Sequence, residues 1–226
     1  MTGEPTGFLY PFLDAEERDA SRLMEDLAAS ARAKMRQSRS LRVDTLQSDE
    51  REVRRAAEAM AARTAAGGRV LAFGNGGSAT DAEGMVDLFT DPPHGRPLPA
   101  LSLAEDRAVL TALANDVGVE LVFSRQIIAH GRPGDVAVGF STSGDSANVL
   151  RALAEASARG LLTVGLSGHG GGTMARSGTV DHCLVVRSDS VHRIQETQDA
   201  LVVALWSAIQ RCLSTGGPRR HGGRGR

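Results

Sequence analysis

Two short segments bring together residue types that can hold an anion. The first is Gly74-Asn75-Gly76-Gly77-Ser78, which follows an apolar, β-branched run and precedes a helical pattern. Glycines let a backbone approach a ligand closely, and a helix N-terminus offers N–H groups and the positive end of a dipole. Ser78 adds a hydroxyl. The second segment is Ser141-Thr142-Ser143-Gly144-Asp145-Ser146, also placed between a strand pattern and a helix pattern, with four hydroxyls in six residues. Hydroxyls and backbone amides can all donate to the oxygens of a phosphate. Neither segment contains a lysine or arginine. Neither is a Walker A loop, because no Gly-Lys-Ser/Thr follows, and the first lacks the Gly-x-Gly-x-x-Gly of a dinucleotide site. Either one alone is also what a tight β–α turn with an N-cap serine looks like. Two of them at the carboxyl ends of strands, where open α/β sheets bind ligands, point to a phosphate.

The remaining reactive residue types are scattered. His94, His130, His169 and His182 fall in loops or at strand ends without metal-ligand spacing, and His221 lies near the C-terminus. Cys183 reads as part of an apolar strand and Cys212 lies far from it; the two are not spaced as a zinc or redox pair. Lys34 is the only lysine and sits in a polar helical stretch, so lysine Schiff-base chemistry is not expected.

The elements that position the two loops can be read from periodicity. Candidate strands are 70–73, 100–103, 136–140, 163–166 and 182–186, each followed by a helical stretch or a Gly-rich turn. Near-continuous apolar strands alternating with helices predict a parallel sheet covered on both faces, a doubly wound α/β fold. Ahead of it, Asp14-Ala-Glu-Glu17 has the spacing of a capping box. Apolar residues then recur at Leu23, Leu27 and Ala31. A second helical pattern runs through Leu46, Val53, Ala56, Ala57 and Met60 to Ala66, where Gly67-Gly68 ends it. The segment 168–172 (GHGGG) reads as a flexible connection. A last helix over 191–213 is apolar around much of its circumference and predicts burial on more than one side. The expected layout is a helical oligomerisation segment (1–66), an α/β domain (67–213) and a disordered Gly/Arg tail (214–226).

Composition excludes several classes. The chain has 226 residues and a formal net charge of −1, so no global field draws it to nucleic acid or an anionic membrane. Aromatic residues make up 4%, too few for a base-stacking platform. No stretch approaches the ~20 apolar residues of a membrane span. The N-terminus has no basic start followed by an apolar run, so the expected location is the cytoplasm.

GNGGS after the first strand, ALANDVG, FSTSGDSANV and HRIQE in the last helix resemble the SIS (sugar isomerase) domain. Within it they are similar to the branch holding sedoheptulose 7-phosphate (phosphoheptose) isomerases and the DnaA initiator-associating protein. The resemblance spans about residues 20 to 212. It implies a three-layer αβα sandwich with a five-stranded parallel, flavodoxin-like sheet, preceded by helices that assemble a homotetramer. It also implies that Ser78, Ser141, Ser143 and Ser146 hold a sugar phosphate, while Asn75, Gly76, Gly77 and Thr142 line the sugar chain. Asp106 matches an active-site aspartate. Gln195 matches a glutamine that in the isomerases also touches a metal.

The departures bear on chemistry. The family's zinc-ligand histidine, and the glutamate four residues later that also moves the proton, fall on Gly84 and Leu88; a second histidine falls on Val203. A lone glutamine is a poor zinc site, so no metal and no cofactor is expected. Isomerisation through an enediol still needs a positioned base. Glu83, Asp87, Asp106, His192 and Glu196 are the substitutes to weigh. Asp87 is rotated about 100° from the glutamate position, whereas His192 shares a helix face with Gln195. Two readings follow: an isomerase-like phosphosugar protein with a relocated base, or a non-catalytic sugar-phosphate sensor or protein-interaction module. In both, a small sugar phosphate is the ligand, a protein partner is possible, and neither a membrane nor a specific nucleic acid is a partner.

Overall fold

The computed structural model describes residues 20–215; the capping-box motif at 14–17 and residues 216–226 of the expected tail lie outside them. Contacts divide the chain into two units, residues 1–40 and 41–226. The boundary falls inside the first helix, α1 (Ala20–Ser48). In the first unit, α1 carries exposed Leu23, Met24, Leu27 and Met35. No helix among the described residues is long and apolar enough to cross a membrane.

The second unit is the α/β domain. Helix α2 (Glu50–Ala65) buries Val53, Ala56, Ala57, Met60, Ala61 and Thr64. These recur at three- and four-residue steps and make one face of a helix. The N–H groups of Gly67 and Gly68 donate to the carbonyls of Thr64 and Arg63 and close its C-terminal end. Five strands follow: β1 (Val70–Gly74), β2 (Ala100–Ser102), β3 (Val136–Ser141), β4 (Leu162–Gly168) and β5 (His182–Val186). All pair in parallel, in the order β2-β1-β3-β4-β5.

Residues β1, β3 and β4 are buried throughout, as a sheet covered on both faces requires. Alternation along β1 separates the two cores. Val70 and Ala72 join the side formed by α2, α3 (Gly77–Thr90) and α8 (Val191–Thr215). Leu71 and Phe73 join the side formed by α5 (Val122–His130) and α6 (Ala147–Ala158). The rings of Phe89 and Trp206 meet at 5.1 Å on one side, and those of Phe73 and Phe123 at 5.4 Å on the other. Helices α4 (Arg107–Val117) and α7 (Gly172–Arg176) complete the set of α-helices among the described residues. The expected three-layer sandwich with a five-stranded parallel sheet is what the chain forms. The last helix continues to Thr215, two residues into the segment read as tail.

Strand β5 is an edge, and the start of α2 covers it. The Val185 N–H donates to Asp49 at 3.1 Å, and His182 Nδ1 lies 2.8 Å from Glu52.

The strand order explains where a ligand can sit. After β1 the chain crosses to β2 on one side, then returns past β1 to β3 on the other. Helices leaving the adjacent strands β1 and β3 therefore depart to opposite faces. That leaves a crevice between the carboxyl ends of these strands, the place where open α/β sheets bind ligands. The two loops that open at these ends are 74–76 and 141–146.

Candidate functional site

The loop after β3 folds its hydroxyls together. Ser141 Oγ lies 2.9 Å from Ser146 Oγ and 3.4 Å from Ser143 Oγ, and accepts the Gly144 N–H at 3.1 Å. Ser143 Oγ accepts the Asp145 N–H. Ser146 occupies the N-cap of α6, yet its side chain makes no capping hydrogen bond. An N-cap serine in an ordinary turn spends its oxygen on the N–H two or three residues on. Here the Ser146 hydroxyl turns to Ser141 instead, at the positive end of the α6 dipole. Three hydroxyls next to a helix N-terminus form a cradle for an anionic group with several oxygens.

The segment 168–172, expected as a flexible connection, is the wall behind this cradle. Met174 N–H donates to the Gly144 carbonyl at 2.9 Å, and the Asp145 carboxylate accepts the Thr173 N–H at 2.7 Å. Those bonds to Thr173 hold the Asp145 carboxyl below its usual pKa. Gly144 has φ +72°, and a Cβ there would lie 2.2 Å from the Gly171 carbonyl oxygen. Only glycine meets both conditions.

Across the crevice, Ser78 is buried in the first turn of α3, and Asn75, Gly76 and Gly77 are exposed before it. The Asn75 amide exchanges two hydrogen bonds with Asn148 of α6, at 2.8 and 2.9 Å. This pair ties the two loops together over the crevice. Beside it lies a cavity of about 280 Å³ whose wall includes Ala79, Leu110, Val119 and Phe123, with Asn75 and Asn148 as its polar edge. Thr142 is half-buried, and its carbonyl packs against Gly168.

Gln195 reaches the same region from α8. Its Nε2 would be 2.0 Å from a Cβ on Gly77. Beneath it, Asp81 of α3 is buried, and its Oδ2 has no hydrogen-bond partner among the described residues. Burial, and then the neighbouring charge of Asp199, push the Asp81 carboxyl up to about 6, while a hydrogen bond with the Gln195 side chain works the other way. Asp199 is raised too, chiefly by desolvation.

The remaining expected residues are placed as follows. Asp106 is the N-cap of α4, where one carboxylate oxygen accepts the N–H groups of Ala108 and Val109. Asp87 shares a separate 150 Å³ pocket with Glu83, Val86, Ser102 and Glu105. His192 is exposed in the first turn of α8, one turn before Gln195. Asn148, Asp81 and Asp199 were missed by sequence reasoning. Asp81 follows Ser78 by three residues and Asp199 follows Gln195 by four, so helical spacing marks them as neighbours of the site.

Comparison with known proteins identifies the family. A family model described as the SIS domain matches residues 34–168. The chain belongs to the SIS domain family. The matched span of the SIS domain holds both loops of the crevice but ends before α8. The phosphoheptose isomerase of Paramagnetospirillum magneticum is 48% identical over 148 residues, covering 65% of this chain and 76% of that protein. That of Rhodospirillum rubrum is 42% identical over 164 residues, covering 70% and 84%. The solved phosphoheptose isomerase of Neisseria gonorrhoeae superposes with a TM-score of 0.76 at 36% identity, over 82% of this chain and 99% of that one.

Proposed function

We propose that this SIS domain binds a phosphorylated sugar in the β1/β3 crevice and isomerises it between ketose and aldose, as a relative of the sedoheptulose 7-phosphate isomerases that works without zinc. The carrying observation is the N-cap serine that does not cap. With Ser146 turned to Ser141, a phosphate can be held by Ser141, Ser143 and Ser146 at the start of α6, with Ser78 donating from α3. Asn75, Gly76, Gly77 and Thr142 then border the sugar chain.

The zinc that the family resemblance implies does not fit the residues present. Gln195 is one amide oxygen donor; Gly84, Leu88 and Val203 offer none. Among the described residues no three His, Cys, Asp or Glu side chains gather as a metal site. The proton must therefore move between protein groups and the substrate. A base removes a proton from C1 of the ketose, the C–H electron pair forms the C1–C2 double bond, and the C2 oxygen takes a proton. The enediol then accepts a proton at C2 and releases the one on O1. His192 and Gln195 are the groups of the set on the helix that reaches Gly77. We assign His192 the proton transfer and Gln195 a hydrogen bond to the enediol oxygens. Asp106 keeps α4 in place, and Asp87 faces another pocket.

A second reading, a non-catalytic sugar-phosphate sensor or interaction module like the DnaA initiator-associating protein, is favoured by the donor-free positions Gly84, Leu88 and Val203. Deuterium exchange separates the two. Protein incubated with sedoheptulose 7-phosphate in heavy water is expected to place deuterium at C1 or C2, and His192→Ala to stop it. Thermal stabilisation by the sugar phosphate with no exchange at any pH selects the sensor. No stabilisation at millimolar concentration overturns both. We further propose a cytoplasmic homotetramer assembled through the apolar residues of α1. Light scattering should give the mass of four chains, reduced in Leu27→Asp.

A further inference from the structure

We propose that Asn148 is a positioning residue: it fixes the orientation of the Asn75 amide, and so which flank of that amide donates and which accepts toward the hydroxyls of the substrate chain. This rests on the phosphosugar reading above. It adds how that site tells a polyhydroxy chain from a bare phosphate.

The Val149 N–H donates to Asn148 Oδ1 at 3.0 Å. A backbone N–H can only donate, so the atom facing it must be the amide oxygen. Asn148 is 5% exposed, in the first turn of α6, and has no freedom to turn over without burying two N–H groups against each other. Its Nδ2 must then face away from Val149, and it donates to Asn75 Oδ1 at 2.9 Å. Its oxygen accepts a second bond, from Asn75 Nδ2 at 2.8 Å. The two amides form a closed pair. An orientation fixed by one helical N–H is thereby passed to a side chain on the opposite loop.

Asn75 needs this help. It is exposed, stands between Gly74 and Gly76, and makes no other side-chain hydrogen bond among the described residues. The pair uses one N–H and one lone pair of its amide. One N–H and one lone pair are left over, on opposite flanks of the amide. With Asn148, Asn75 makes the polar edge of a cavity whose other walls are mostly hydrocarbon. A sugar hydroxyl on one flank can accept from the first, and a hydroxyl on the other flank can donate to the second. A ligand without hydroxyls leaves both unmet, which is how polar sites reject deoxy analogues. Freed from Asn148, the Asn75 amide would turn over at little cost, and the pattern would be lost.

Calorimetry with two probes, sedoheptulose 7-phosphate and inorganic phosphate, tests this on the full chain. Asn148→Ala should weaken sugar-phosphate binding roughly tenfold and inorganic phosphate by less than about twofold, the scale of one or two net hydrogen bonds. Asn148→Asp keeps an acceptor for the Val149 N–H and sets a carboxylate oxygen against Asn75 Oδ1. It should fold normally and show the same selective loss. Added to Asn75→Ala, either change should have no further effect. Equal losses for both probes, or no loss, overturn the proposal. A wild-type protein that binds no sugar phosphate overturns the phosphosugar reading itself, a result distinct from variants that bind it as well as wild type.

Discussion

The amide of Gln195 on α8 closes over Gly77 at the start of α3, leaving no room for even a methyl group between them: a Cβ there would lie 2.0 Å from Nε2. The obstructing atom is the end of a flexible side chain, so the clash can be relieved by moving Gln195. Gly77→Ala is therefore expected to fold, with stability changed by about 1 kcal/mol or less, but with Gln195 displaced from the crevice. Isomerase turnover should fall at least as far as in Gln195→Ala, with phosphate affinity nearly intact. Normal turnover in Gly77→Ala would remove Gln195 from the mechanism.

Ser141 is the hub of the hydroxyl cluster, bonded to Ser146, Ser143 and the Gly144 N–H. Ser141→Ala removes one of the two acceptors of the buried Gly144 N–H and leaves the Ser141 carbonyl, so stability should fall by about 1 kcal/mol or less. The larger expected effect is on ligand: the thermal shift produced by millimolar inorganic phosphate should shrink or vanish. An unchanged shift would place the phosphate elsewhere.

Gly144 tolerates nothing larger. A Cβ would meet the Gly171 carbonyl oxygen at 2.2 Å and the Gly172 nitrogen at 3.0 Å, at a φ of +72°. Both obstacles are backbone and cannot swing away. Gly144→Ala is expected to cost about 2–4 kcal/mol and to abolish phosphate binding. Denaturant unfolding measures the first and calorimetry the second. A stable, phosphate-binding variant would mean that the 168–172 wall is not needed.

Asp81 should oppose stability at neutral pH. Its pKa is raised from 3.8 to about 6 in the folded chain. Between those values the native state holds more protons than the unfolded one, so stability falls as pH rises. The contribution of this carboxyl is complete below about pH 4 and lost above about pH 6. Asp81→Asn keeps a partner for Gln195 and removes the titration. It should stabilise the protein at pH 8 by on the order of 1 kcal/mol, after allowing for solvent screening, and by nothing at pH 4. Urea unfolding at the two pH values reads the difference; equal effects at both would show that Asp81 is not held above its usual pKa.

Much of this was legible along the chain. Apolar, β-branched runs of strand length, broken by helical periods, located all five strands; the central β1, β3 and β4 are the clearest, because a strand buried on both faces has little choice but to be continuously apolar. The glycines and hydroxyls of 74–78 and 141–146 marked both loops. Asp106, which the family resemblance marks as an active-site aspartate, is the N-cap of α4 bonded to Ala108 and Val109, a place that its position just before the helix also suggests.

The sequence by itself determined the elements and the residue types of the phosphate loops, since strand burial, helix periodicity and turn chemistry are local. The tertiary structure decided which loops face each other. The order β2-β1-β3 sets 74–78 against 141–146, although more than 60 residues separate them. The same fold lays α8 across α3, so that Gln195 covers Gly77 and Asp81 loses its water. It pairs Asn75 with Asn148, 73 positions away. Such contacts depend on which faces are buried together and have no periodicity to announce them.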